Sequence, residues 1–162
     1  MDRRFFLKDG FGLHVVLYQP EIPPNTGNIA RLCVATSTHL HLIRPLGFSL
    51  SDRRLRRAGL DYWGKLKLTV YDSLEDFFIR FGAGRIFYLT TRAQKTIYDF
   101  QYRRGDAFVF GSESAGLPEE LLISNMDRCA NIPMTDAVRS LNLSDSVSIV
   151  LYEAIRQIGF SR

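Results

Sequence analysis

Three short segments of this chain combine glycine with side chains able to hold a ligand or stabilise charge. They are the runs N-T-G-N-I-A-R at 25–31, F-G-S-E-S-A-G-L-P at 110–118, and I-P-M-T-D-A-V-R-S-L-N-L-S at 132–144. Each follows a stretch that reads as a β-strand. Polar residues gathered at strand ends are where an α/β sheet places its binding site. Several chemistries lack their residues. No G-x-G-x-x-G follows the first strand candidate and no G-x-x-x-x-G-K-[ST] occurs, so dinucleotide and P-loop phosphate cradles are missing. Ser114 in S-E-S-A-G approximates a hydrolase nucleophile elbow. However, Ser112 stands where the first glycine belongs, and no histidine follows Ser114 in the chain.

The histidines are His14, His39 and His41. His39-x-His41 places two imidazoles on one face of a strand, and Cys33 offers a third metal ligand. The plainer reading is a strand with both histidines turned to solvent and Leu40 and Leu42 turned inward. The plainer reading is adopted, with no metal and with Cys33 a small buried hydrophobe.

The elements that must position these loops alternate between strand and helix. Residues 13–19 form an apolar run closed by Pro20, as a strand buried on both faces does. After the Pro-rich loop, Asn25 or Thr26 is the expected cap of a helix carrying Ile29, Leu32, Cys33 and Thr36. Strands are expected at His39–Arg44, 66–71, 85–90, 107–110 and 129–134. Residues 51–57 read as a short basic helix stopped at Gly59. Ser73 opens S-x-x-D before the helix at 74–81. Pro118, Glu119 and Glu120 suit a helix first turn. Val147, Val150, Leu151, Ala154, Ile155 and Ile158 repeat at helical spacing up to Gly159. The alternation predicts one α/β domain, a mostly parallel sheet flanked by helices, over 13–162, with 1–12 as an extension.

The 162 residues are 46% hydrophobic and 23% charged, which suits a globular domain and not a disordered one. Lys and Arg number 21 against 17 Asp and Glu, a net charge of +4 that permits an acidic partner without requiring one. Two cysteines cannot build a disulfide framework. No apolar run approaches a membrane span and the start is not a signal peptide, so the expected compartment is the cytoplasm.

The stretches PEIPPNTGNIARLC, RRAGLDYW, FG-x-E-x-x-GLP and RSLNLS, followed by YEAIRQ, resemble in order and spacing the SpoU branch of the SPOUT methyltransferases. Within it they look like the small-chain group that methylates the ribose 2′-hydroxyl of the tRNA wobble nucleotide. The resemblance covers about residues 13–160. It implies a C-terminal deep trefoil knot, S-adenosyl-L-methionine bound in the knotted loops, and a homodimer with the active site near the interface. It places Leu89, Gly111, Ile132 and Ser140 at the family's cofactor positions, with Met134 and Leu141 adding to the same slot. Gly111 is expected to let backbone approach the ligand closely.

Arg31 matches the family's motif arginine. A guanidinium stays protonated, so its expected work is to stabilise a developing alkoxide and hold the adjacent phosphate. Asn28, Glu113, Ser140 and Asn142 match the other polar motif positions. Asn28 and Asn142 are expected to orient Arg31 or the ribose. Glu113 either anchors its loop by accepting backbone N–H bonds or acts directly. Arg53, Arg54, Arg56 and Arg57, with Tyr62 and Trp63, combine phosphate-binding charge with stacking surface for RNA, and Arg139 adds a phosphate contact. Three positions depart from the wobble group: Ser114-Ala115 replaces Thr-Arg, and Asp145 replaces Asn. The expected activity is wobble 2′-O-methylation of tRNA cytidine or modified uridine. The alternatives are a SpoU-type enzyme for another tRNA or rRNA nucleotide and a non-catalytic RNA-binding module.

Overall fold

The apolar run at the start of the chain becomes the strand β1 (His14–Tyr18) in the middle of the sheet, where both of its faces are covered. A computed structural model of the chain describes residues 10–51, 53, 55 and 62–159. After β1 come α1 (Pro23–Thr36), β2 (His39–Ile43), β3 (Leu68–Tyr71), α2 (Leu74–Phe81), β4 (Ile86–Leu89) and β5 (Ala107–Phe110). They are followed by α3 (Glu119–Ser124), β6 (Cys129–Ala130) and α4 (Leu143–Ile158). The sheet has six strands in the order β3-β2-β1-β5-β4-β6, and every pairing is parallel.

Strand alternation sends the side chains of β1 into two cores. Val15 and Leu17 join Leu40, Leu42 and Phe108 under α1 and α4, with Ile29, Cys33, Val147 and Leu151 from the helices. Val16 joins Ile43, Tyr71 and Val109 on the other face, under Phe77 of α2 and Leu122 of α3. Phe11 is buried in the first core, so the packed body takes in residues before 13.

Helix ends follow local chemistry. α2 begins where the Ser73 hydroxyl accepts from the Asp76 N–H at 3.1 Å and ends at Gly82, whose φ is +71°. α4 begins where Asn142 accepts from the Ser144 N–H at 2.8 Å, with Asp145 in its first turn. α1 differs from expectation. It starts at Pro23, a residue whose fixed φ and missing N–H suit the first helical position. Asn25 and Thr26 therefore lie inside the first turn and cap nothing; both are buried. The strand expected at 129–134 stops at Ala130, because Asn131 turns to bridge Thr96 and Ile132 onward line a cavity.

The expectation that His39 and His41 face solvent is not met. α2 covers that face, and His41 is only 3% exposed, with the Phe77 ring 5.3 Å from its own. Cys33 lies on the opposite face. Burial pushes its thiol up, so it offers no thiolate to either histidine. Among the described residues no helix is long and apolar enough to cross a membrane.

Candidate active site

The carboxyl ends of β4 and β5 and the segment after β6 open onto one cavity of about 530 Å³. Leu89, Gly111, Ile132, Met134, Ser140 and Leu141, expected to hold a cofactor, all line it, as do Glu113 and Asn142. Its walls are held together by backbone. The Thr90 N–H donates to the Ala130 carbonyl at 3.0 Å, and the Ile97 N–H donates to that of Asn131 at 2.9 Å. The Asn131 side-chain amide donates to the Ala93 carbonyl at 2.6 Å. The loop 90–97 is thereby laced to the strand beside it, and Leu89 and Ile132 face the same space.

Gly111 has a reason other than the one expected. A Cβ there would collide with the backbone of Gly116 and Leu117, before any ligand is considered. The loop closes on itself through Ser112 and Gly116, whose backbones pair in both directions at 3.3 and 2.9 Å. Gly116 takes a φ of +71°, which favours glycine. The G-x-E-x-x-G-L-P run is thus a tight hairpin that presents Glu113 at its tip.

Glu113 ties that tip to the start of α1. Its carboxylate accepts from the backbone N–H of Glu21 at 2.8 Å, from that of Ile22 at 3.2 Å and from the Asn25 amide at 3.1 Å. Two of these donors lie just before α1, where N–H groups lack helical partners. The Asn25 side-chain oxygen in turn accepts from the Asn142 amide at 3.0 Å. One chain of bonds, Glu113 to Asn25 to Asn142, therefore joins all three motif segments. Asn142 orients Asn25 and caps α4, and among its bonds none reaches Arg31. Glu21 adds a second tie by accepting from the Ser114 N–H and hydroxyl. Sequence reasoning missed Asn25 and Glu21. Asn25 lies inside the first motif but reads there only as a cap, and nothing in the spacing marks Glu21.

Asn28 and Arg31 do not line the cavity. They are exposed on α1, three and six residues beyond Asn25. Steps of three keep neighbours on one ridge of a helix, so a polar ridge leads away from Asn25. The Arg31 guanidinium sits 5.3 Å from the centroid of the Tyr62 ring. Tyr62 is exposed, whereas Trp63 packs against the core, which removes most of it from any stacking surface. Arg53 and Arg139 are exposed, and Leu55 is fully buried. Arg54, Arg56 and Arg57, and Leu60 with them, lie outside the described residues.

Residues 12–152 match the SpoU rRNA Methylase family. A Burkholderia cenocepacia protein named tRNA (cytidine(34)-2′-O)-methyltransferase is 50% identical over 151 residues, 91% of this chain and 96% of that one. A solved structure described as giving insights into the 2-OH methylation of C/U34 on tRNA superposes with a TM-score of 0.86. It is 49% identical and covers 90% of this chain and 95% of its own. An AdoMet-bound rRNA methyltransferase from Sinorhizobium meliloti superposes at 0.79 with 25% identity, over 91% of this chain and 57% of its own. With the match spanning most of its length, and three motif segments converging on one cavity, this chain belongs to the SpoU rRNA Methylase family.

Proposed function

We propose that this protein transfers a methyl group from S-adenosylmethionine to the ribose 2′-hydroxyl of the wobble nucleotide, position 34, of tRNA, with cytidine or a modified uridine as the base. The observation that carries the reading is the convergence of Leu89, Gly111, Ile132, Ser140 and Leu141 on one cavity that Glu113 and Asn142 also border. The naming of the Burkholderia relative supports the substrate.

The cavity fits S-adenosylmethionine on its own terms. Its volume is within the roughly 300–1,000 Å³ of small-ligand sites. Leu89, Leu117 and Ile132 give an apolar wall suited to an adenine face, and Thr90, Ser140 and Ser146 give hydroxyls. When bound, the cofactor supplies an electrophilic methyl on a sulfonium. Leu89, Ile132, Met134 and Leu141 bind it and exclude water; Gly111 and Ser140 fix its position. Glu113 holds the hairpin against α1. Asn142 acts with it through Asn25. Arg31 stabilises the developing 2′-alkoxide and holds the neighbouring phosphate, and Asn28, one turn earlier on the same ridge, orients the ribose. Arg53, Arg54, Arg56, Arg57 and Arg139 bind the RNA backbone. A sulfonium methyl needs no Lewis acid, so no metal is assigned to the reaction.

The same reading makes the enzyme a cytoplasmic homodimer with its site near the interface. Exposed Ile22 at the cavity and exposed Ile149 and Tyr152, one turn apart on α4, support it. The return of the chain from the edge strand β6 to Asn25 beside β1 supports the trefoil passage that the resemblance implies. Light scattering tests the dimer; a monomer at micromolar concentration would remove it. For the activity, S-adenosylmethionine with a tritiated methyl is offered with tRNA or with rRNA as acceptor. Label in tRNA alone is expected. Label in rRNA alone would move the enzyme to another substrate of the family, and label in neither, without cofactor binding, would leave an RNA-binding module.

A further inference from the structure

The three histidines of the chain, scattered at positions 14, 39 and 41, meet at the end of the sheet opposite the cavity. His14 opens β1 and His39 opens β2, and the two are direct partners in the parallel register. His41, two residues on, shares the face of His39. His14 Nδ1 lies 2.9 Å from His41 Nε2, and the rings of His39 and His41 stack with centroids 4.1 Å apart. Each imidazole offers one ring nitrogen, and the three nitrogens lie within 4.8 Å of one another.

We propose that His14, His39 and His41 form a binding site for a first-row transition-metal ion of the zinc type, separate from the methyl-transfer site. Four features of the geometry argue for it. Zinc is held by imidazole nitrogens at about 2.0–2.1 Å, which sets neighbouring ligand atoms roughly 3.3 Å apart in a tetrahedral site. The 2.9 Å pair must open slightly and the third nitrogen must close in. His14 and His39 are only half-buried and are the rings that must move, while His41 is packed under Phe77. Second, His41 Nδ1 is bonded to the Tyr71 hydroxyl at 2.9 Å, so an outer partner holds the ring with Nε2 turned toward His14, as metal-binding histidines are commonly held. Third, the cluster contains no carboxylate, which disfavours calcium or magnesium and leaves a metal suited to neutral nitrogen ligands. Fourth, the half-exposed side of the cluster leaves a fourth position for water. Because the ion would join the starts of β1 and β2, binding it would stabilise the folded chain.

The test is a zinc titration of the chelator-treated full chain by calorimetry, with cobalt(II) added in parallel for its visible spectrum. The expected result is one zinc per chain at micromolar Kd or tighter, and cobalt bands of a four-coordinate nitrogen site. His14→Gln and His39→Ala, both at half-buried positions, are each expected to weaken zinc binding at least tenfold while circular dichroism stays that of the parent. Absence of saturable binding by the parent would overturn the proposal and leave a hydrogen-bonded histidine cluster. Parent-like binding by both folded variants would also overturn it, by placing the zinc elsewhere.

Discussion

At the carboxyl ends of β4 and β5, polar side chains border an open cavity and are held by ties between distant loops. At the amino ends of β1 and β2, polar side chains are packed against each other and against aromatic rings. The first region keeps its groups available to a ligand: Glu113 and Asn142 spend some of their bonds on Asn25, and Ser140 remains exposed. The second satisfies its groups internally, His14 to His41 to Tyr71 and His39 to Thr69, under Phe77 and Phe81. The same parallel sheet therefore carries two polar clusters with opposite consequences. One can lose a reacting group without losing the fold. The other cannot take up protons without a cost in stability, because burial and mutual repulsion oppose protonation there. Burial and His39 pull His14 down to about 4, burial with the other two histidines and Arg80 pulls His41 down to about 3, and burial with Lys67 lowers His39.

The largest effect expected on this contrast is Arg31→Ala. Turnover should fall at least about a hundredfold, as when one donor to a developing oxyanion is removed. S-adenosylmethionine affinity, read by calorimetry, and the melting temperature should hardly move, because Arg31 is exposed and outside the cavity. Unchanged turnover would remove Arg31 from the mechanism.

The histidine end should respond to acid instead. Unfolded histidine titrates near 6.5, above the folded values of His14 and His41. The unfolded chain therefore binds more protons between those limits, and stability, full above about pH 6.5, is lost as the pH falls toward 4 and 3. The slope should reach up to about 1.4 kcal/mol per pH unit for each such histidine. Urea unfolding with chelator present, from pH 7.5 to 4.5, reads it, and His14→Gln should flatten it. A parent slope no steeper than the variant's would show that His14 is not held neutral.

Asn25→Ala probes the link between motif segments. It takes from the Asn142 amide its bond to Asn25 and from Glu113 Oε1 one of two donors, the Ile22 N–H remaining, and should cost about 1–3 kcal/mol in urea unfolding. It should also raise the KM for S-adenosylmethionine, whereas a purely structural role would leave KM alone. The smallest effect is expected at Ser73→Ala, which removes the cap of the helix covering the histidines and should cost about 1 kcal/mol with no change in methyl transfer.

The three polar segments at the carboxyl end are legible in the sequence because each is contiguous and follows a strand, single positions such as Leu89 come only from the family resemblance, and the strand–helix alternation is legible from periodicity. What binds the motifs to each other is not. Asn25 to Asn142 spans 117 positions and Glu21 to Ser114 spans 93, and no local pattern reports such pairs. The start of α1 is misread because Pro23 outranks Asn25 as a helix opener once the chain is folded. The histidines are misread for a related reason. Alternation along β2 separates His39 and His41 from Leu40 and Leu42 correctly, but it cannot say that α2 covers the histidine face or that His14 arrives from β1.

The most direct measurement maps the product. Purified protein is incubated with S-adenosylmethionine and with tRNA lacking its wobble methyl, and the digested RNA is read by mass spectrometry. A new 2′-O-methyl on nucleotide 34 is the predicted result. A methyl on any other nucleotide, or none while the cofactor binds and the tRNA is intact, would contradict the account.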